Sequence, residues 1–75
     1  MNPIIKQWDT AKSLIKDYQY KEALAIYEAL YQKVETELSD NFDKAMFFGD
    51  YFGALADVAQ YDKAEAMAAK AFHYK

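Results

Sequence analysis

The chain has 75 residues, enough for one small domain, and its hydrophobic content of 53% and aromatic content of 17% are high for a soluble domain. It contains no cysteine, so neither a disulfide nor a cysteine-based zinc site can support the core. Its net charge of −3 and its lack of arginine argue against nucleic-acid binding, and no apolar run is long enough to cross a membrane. We therefore expect a cytoplasmic protein without nucleic-acid or membrane partners.

The first half of the chain has the periodicity of two helices. From Pro3 to Tyr18 the apolar residues fall on one stripe at helical spacing, and a second stripe runs from Lys21 to Leu38. The stripe of the first segment consists of Ile4, Trp8, Ala11, Leu14, Ile15 and Tyr18. Because the break between the segments is short, we expect two antiparallel neighbouring helices, which form a first hairpin over about 3–38.

The second half has the same organisation. The residues at 39–41, Ser-Asp-Asn, are all good N-cap types, and they precede a third apolar segment that runs to about Ala59. A fourth helical segment starts near Asp62 and continues to the end of the chain. These two helices form the predicted second hairpin, over about 42–75.

The third segment is expected to be the most buried helix. Its apolar residues cover more than half of the helical wheel, so it should pack on both flanks, with Phe48 and Phe52 in the core. Gly49 and Gly53 lie inside this helix, where each glycine costs about 1 kcal/mol relative to alanine. We interpret them mainly as devices for close helix packing, with the approach of another chain as the alternative.

A row of aspartates marks the polar side of the third segment. Asp43, Asp50 and Asp57 recur every seven residues, a spacing that aligns them along one side of a helix. Such a row is typical of a solvated face, and part of it can pair with Lys12 and Lys16 of the first segment. A ligand with basic groups is the alternative partner.

An internal repeat relates the two halves. The sequence QYKEA at 19–23 returns as QYDKA at 60–64, which is 41 positions later. In each copy a tyrosine precedes the second helix of a hairpin, and an alanine three residues on is small enough for a close helix crossing. A helix pair cannot bury its apolar face alone, so the repeat predicts that one hairpin stacks on the other.

The stretch AKSLIKDYQYKEALAIYEAL resembles a tetratricopeptide repeat. The positions that match this family are Ala11, Leu14, Tyr20, Ala23 and Tyr27, and in the second copy Phe48, Leu55, Tyr61 and Ala64. The second copy departs at Phe52, where the family has a small residue, and at Ala68, where it has an aromatic one. The long period is similar to that of kinesin light chains and of some bacterial peptide-sensing regulators. The resemblance implies an all-α fold of four antiparallel helices in two stacked hairpins, a fragment of an α-solenoid.

The same resemblance implies a function and a surface. In tetratricopeptide repeats the first helix of each pair lines a concave groove that binds peptides. Carried over, the groove includes Trp8, Ile15 and Ala56, and its predicted binding residues are Ile5, Asp9, Lys12 and Lys16 of the first helix and Met46, Gly49, Asp50, Gly53 and Asp57 of the third. The family's clamp for peptide carboxylates needs more basic residues and asparagines than this groove has. We therefore expect a protein or peptide ligand that bears lysine or arginine, with Ile5 as an exposed apolar anchor.

Catalytic, metal and cofactor sites find no support in the sequence. The single histidine, His73, has no carboxylate four residues away and is expected to be exposed, and neither serine has a histidine partner in the sequence. We expect a protein that is not an enzyme. The alternatives to peptide binding are a self-associating structural protein and a small acidic antagonist of a basic surface. The fourth helix is alanine-rich, so we expect a dimer partner or following repeats to cover it, and the helical ending AKAFHYK is compatible with a fragment of a longer chain.

Overall fold

The computed structural model describes residues 2–74, and its regular structure is entirely α-helical. The helices are α1 (Pro3–Lys16), α2 (Tyr20–Glu37), α3 (Asn41–Asp57) and α4 (Tyr61–Tyr74). The predicted all-α fold of four helices is confirmed. The predicted continuation of the fourth helix to residue 75 lies outside the described residues.

The starts of α1 and α3 follow from local sequence. Asn2 is the N-cap of α1, and its side-chain oxygen accepts a hydrogen bond of 2.8 Å from the amide of Ile4. Pro3 occupies the first turn, where its missing N–H costs nothing. Asp40, one of the predicted capping residues, accepts a 2.8 Å hydrogen bond from the amide of Phe42 at the start of α3.

The turn that closes each hairpin is the same in both repeats. In the first turn Tyr18 has a φ of 61°, and the amide of the following residue donates to the carbonyl of Leu14 at 2.9 Å. In the second turn Ala59 has a φ of 63°, and the amide that follows donates to the carbonyl of Leu55 at 3.0 Å. Both are Schellman caps, in which a left-handed residue ends the helix. The 41-residue repeat is therefore present in the backbone.

These caps correct two predicted helix ends. α1 ends at Lys16 and α3 at Asp57, two residues before the predicted ends at Tyr18 and Ala59. Tyr18 is also 81% exposed, so it does not belong to the apolar stripe of the first helix. The physical reason is the left-handed backbone, which turns the chain away before Tyr18 can reach the core.

α3 is the central helix, because it packs against each of the other three. On the side of the first hairpin, Trp8 meets the ring of Phe47 edge-on at 5.6 Å, and the rings of Tyr27 and Tyr51 stack at 5.2 Å. Phe48 is fully buried on the side of α4. Aromatic pairs of this geometry stabilise the fold by more than the area that they bury, and their large rings fill this small core.

Phe52 does not share this burial. It is 41% exposed, so its predicted place in the core is wrong. The prediction assumed neighbours on both flanks of α3. The first hairpin packs on one flank of α3, and α4 packs on the adjoining flank. No described element covers the side of α3 that remains.

Ion pairs between long side chains link α2 to α4. The ammonium of Lys63 lies 2.6 Å from a carboxylate oxygen of Glu28, which also accepts a 2.7 Å hydrogen bond from the hydroxyl of Tyr51. Seven residues further along both helices, the Lys70 ammonium lies 2.9 Å from a carboxylate oxygen of Glu35. The two hairpins are thus stacked, with α1 and α3 side by side along one face and α2 and α4 along the other.

Candidate functional site

A cleft of about 280 Å³ separates α1 from α3, and we call it the α1–α3 cleft. Its lining residues come from three helices: Lys12 and Ile15 of α1, Tyr27 of α2, and Gly49, Asp50, Gly53, Ala54 and Asp57 of α3. α1 and α3 run in the same direction. Trp8 bonds to Asp50, and Ile15, seven residues later in α1, lines the cleft together with Asp57, seven residues later in α3.

The two glycines keep the cleft open. A Cβ atom built at Gly49 or at Gly53 would meet no atom within 4 Å. The interpretation of these glycines as devices for close helix packing is therefore wrong, since no neighbouring helix approaches them. The two glycines leave one wall of the cleft without side chains, so another chain can come close to the backbone of α3 there.

Asp50 is held at the cleft by a buried tryptophan. The indole N–H of Trp8 donates a 3.0 Å hydrogen bond to one carboxylate oxygen of Asp50. Burial, and then the negative charge of Asp50, raise the pKa of Tyr27 at the bottom of the cleft, so that its hydroxyl stays protonated. The side chain of Asp50 is thereby fixed in place while its second oxygen remains available to a ligand.

Asp57 is held in a similar way at the other end of the cleft. The hydroxyl of Tyr20 donates a 3.1 Å hydrogen bond to one oxygen of Asp57. This hydrogen bond raises the pKa of the Tyr20 hydroxyl, because the carboxylate stabilises its protonated form. The bond also joins the first turn of α2 to the last turn of α3, so it fixes the position of the second hairpin against the first.

Neither aspartate has a cationic partner among residues 2–74. The ion pairs there are Lys12–Asp9, Lys63–Glu28 and Lys70–Glu35. The suggested pairing of the aspartate row with Lys12 is not observed, since the Lys12 ammonium lies 3.3 Å from Asp9 and 5.1 Å from the centre of the Trp8 ring. Within the described part of the chain, each of the two aspartates thus has one neutral hydrogen-bond donor and no ion pair.

The structure brings together five of the nine predicted site residues. Lys12, Gly49, Asp50, Gly53 and Asp57 all line the α1–α3 cleft. The other four, Ile5, Asp9, Lys16 and Met46, lie outside it.

Each of these four residues has another environment. Ile5 is half-buried against the core, so it is not the exposed apolar anchor that was expected. Asp9 pairs with Lys12, and Lys16 is exposed at the end of α1. Met46 lines a separate apolar hollow of about 510 Å³ with Phe42, Ala45 and Tyr74.

Sequence reasoning missed the contributions of two tyrosines. Tyr27 reaches the cleft from α2, and Tyr20 positions Asp57. Both had been assigned structural positions, Tyr20 between helices and Tyr27 in the second helix of the hairpin, so their hydroxyls were not considered. The sequence did place Tyr20 next to the break between the first two helices, but nothing in it indicated that its hydroxyl would reach Asp57.

Other kinds of site were also searched for. No group of three or more histidine, cysteine, aspartate or glutamate side chains within residues 2–74 could hold a metal ion. In the same range no helix has the length and apolar character needed to cross a membrane. Comparison of the chain with models of protein families, with curated proteins and with solved structures found no match.

Proposed function

We propose that the chain is a non-enzymatic helical repeat module that binds a basic segment of a protein or peptide in the α1–α3 cleft. The observation that carries the proposal is the state of Asp50 and Asp57. Each carboxylate is positioned by a neutral donor, neither forms an ion pair among residues 2–74, and both flank a wall of the cleft that Gly49 and Gly53 leave without side chains. Such an arrangement favours a ligand that supplies the positive charge.

The spacing of the aspartates defines the ligand. Seven residues along a helix correspond to about 10 Å, at roughly 1.5 Å per residue. Two lysine or arginine side chains of one extended or helical segment can span that distance. The ligand backbone would approach Gly49 and Gly53, and its apolar stems would contact Ile15 at the opposite wall. Because the carboxylates are partly solvated, binding should be weak and should decrease markedly with salt.

The resemblance to tetratricopeptide repeats supports the same proposal. In that family the first helices of successive pairs line the peptide groove, and here α1 and α3 occupy those positions. The repeated Schellman turns and the stacking of two hairpins fit a two-repeat segment of an α-solenoid. A role as an interaction module or scaffold follows from this proposal.

The test is a titration followed by backbone amide chemical shifts. The probe is a ten-residue peptide with two lysines separated by about 10 Å, and the matched control peptide has glutamates at the same positions. We expect the lysine peptide to shift amides within 12–16 and 49–57, and the glutamate peptide to shift none of them. Shifts that cluster on α2 and α4, or equal responses to both peptides, would contradict the proposed site.

A further inference from the structure

The flank of the second hairpin that faces away from the first hairpin is apolar and presents three exposed aromatic rings. It is formed by Phe52 and Ala56 of α3 and by Tyr61, Ala68 and Phe72 of α4, and we call these five residues the open face. The three aromatic members are 41%, 67% and 79% exposed in chain order. The two alanines are half-buried, and no member of the open face carries a charge.

The internal repeat shows what kind of surface this is. Counting back 41 residues from Ala56, Tyr61, Ala68 and Phe72 leads to Ile15, Tyr20, Tyr27 and Tyr31. All four of these first-hairpin residues meet the second hairpin. Tyr20 bonds to Asp57, Tyr27 and Tyr31 meet the ring of Tyr51, and Ile15 shares the α1–α3 cleft with α3. The open face is therefore the second repeat's copy of an established hairpin-docking surface.

The opposite end of the stack is polar. The second hairpin meets the first through Phe47, Asp50, Tyr51 and Asp57. The residues of the first hairpin that stand 41 positions earlier are Lys6, Asp9, Thr10 and Lys16, and all of them are exposed. A head-to-tail contact would press these polar side chains against the aromatic open face. Growth of a chain of copies by continued stacking is thus disfavoured.

We infer that the open face docks the open face of a second copy, which gives a symmetric dimer with a two-fold axis. A two-fold interface requires a surface that is complementary to itself. The open face meets this condition because it combines exposed rings with two small half-buried residues, Ala56 and Ala68, against which the rings of the partner can pack. Its five residues are uncharged, and the one charge beside them on α4 is the exposed Glu65, whose carboxylate can stay in water at the rim of the contact.

The open face and the α1–α3 cleft have no residue in common, although Ala56 lies close to the glycine wall of the cleft on α3. The inference therefore concerns a second surface, and either proposal can fail without the other.

The test is sedimentation of the 75-residue chain between about 1 μM and 1 mM, the range in which interfaces of this kind dissociate. We expect the mass to rise from 8.7 kDa to twice that value and no further. Phe52→Lys and Tyr61→Lys should each weaken the dimer at least about thirtyfold, as expected for aromatic anchors. Tyr18→Lys, which removes a still more exposed tyrosine from the first hairpin, should leave the association unchanged.

Amide shifts of the unmutated chain on dilution give a second measurement that needs no variant. They should change within 52–56 and 61–72, with one resonance per residue at high concentration because the two copies are equivalent. A monomer at every concentration would overturn the inference and assign the face to a following segment or another protein. Growth beyond a dimer, or equal weakening by Tyr18→Lys, would overturn it as well.

Discussion

Replacing Phe48 by alanine should remove a large part of the stability of the fold, whereas the same change at Phe52 should remove little. Phe48 is fully buried, with its ring 5.2 Å from that of Phe47 and stacked 6.0 Å from that of Tyr74. Phe52 stands four residues further along the same helix and is 41% exposed. The two variants delete the same atoms from the same helix, so they differ only in what surrounds the ring.

The magnitude follows from the burial. Truncating a buried phenylalanine to alanine costs about 3–5 kcal/mol, while a domain of this size has a total free energy of unfolding of about 4–11 kcal/mol. Because each kcal/mol shifts the midpoint of a small domain by about 4–8 °C, Phe48→Ala should lower Tm by at least about 12 °C. For Phe52→Ala we expect a loss of about 1 kcal/mol or less, since part of the ring is already in water and alanine favours the helix.

The assay is thermal and urea unfolding followed by helical circular dichroism, at a protein concentration low enough for the chain to be monomeric. The two variants are compared by the ratio of their losses in free energy of unfolding, because both losses are measured against the same unmutated protein. Equal losses, or a larger loss for Phe52→Ala, would refute the burial of Phe48 against α4 and the exposure of Phe52 at the open face.

Three further substitutions test local features of the structure. Gly53→Ala should raise the free energy of unfolding by about 1 kcal/mol, because the added methyl group meets no atom within 4 Å, and destabilisation in urea unfolding would contradict an open cleft wall. Ala59→Gly should also stabilise by about 1 kcal/mol in the same assay, since Ala59 has a φ of 63°; no gain would contradict the left-handed cap. The hydrogen bond from Lys63 lowers the pKa of Glu28 below its usual 4.5, so the stability that it contributes is present above that pH and is lost as the pH falls through the lowered value. The difference in Tm between the unmutated protein and Glu28→Gln should accordingly shrink from pH 6 to pH 3, and a constant difference would contradict the ion pair.

The sequence predicted the helices well because their signals are local. Helical spacing of apolar residues and the Ser-Asp-Asn segment at 39–41 located all four helices and the start of α3. The ends of α1 and α3 were placed two residues too late, because the left-handed caps use Tyr18 and Ala59 in place of the usual glycine. The backbone of the two turns nevertheless follows the repeat that QYKEA and QYDKA indicated.

The errors in burial concern the outer side of α3. Phe52 was expected to pack because the wide apolar surface of α3 indicated neighbours on both flanks, and Gly49 and Gly53 because a close helix contact would offset the cost of glycine in a helix. A helical wheel counts apolar residues, but it does not say how many helices are present to cover them. In the described chain α3 has α1, α2 and α4 as neighbours, and the remaining surface faces outward.

The sequence could predict which helices form the candidate site, but not how its side chains are arranged. The repeat pattern indicated α1 and α3, and five of the nine residues line the cleft. The hydrogen bonds that hold Asp50 and Asp57 depend on side-chain positions 42 and 37 residues away in the sequence, which periodicity cannot specify. The prediction that Ile5 is exposed failed for a related reason. Ile5 lies next to the apolar stripe of α1, and a residue at that position can still be half-buried against the core.

The most direct test of the account is the affinity of an Asp50→Asn/Asp57→Asn variant for the two-lysine peptide, measured by calorimetry at low salt. Asparagine keeps an oxygen that can accept from Trp8 and from Tyr20, so the change removes charge and preserves the hydrogen bonds. The control is Asp43→Asn, which neutralises the third aspartate of the row outside the cleft. We predict that the double variant binds about three- to tenfold more weakly, and that the control binds as the unmutated protein does. Unchanged affinity of the double variant, or an equal loss for Asp43→Asn, would contradict the claim that these two carboxylates bind a basic ligand.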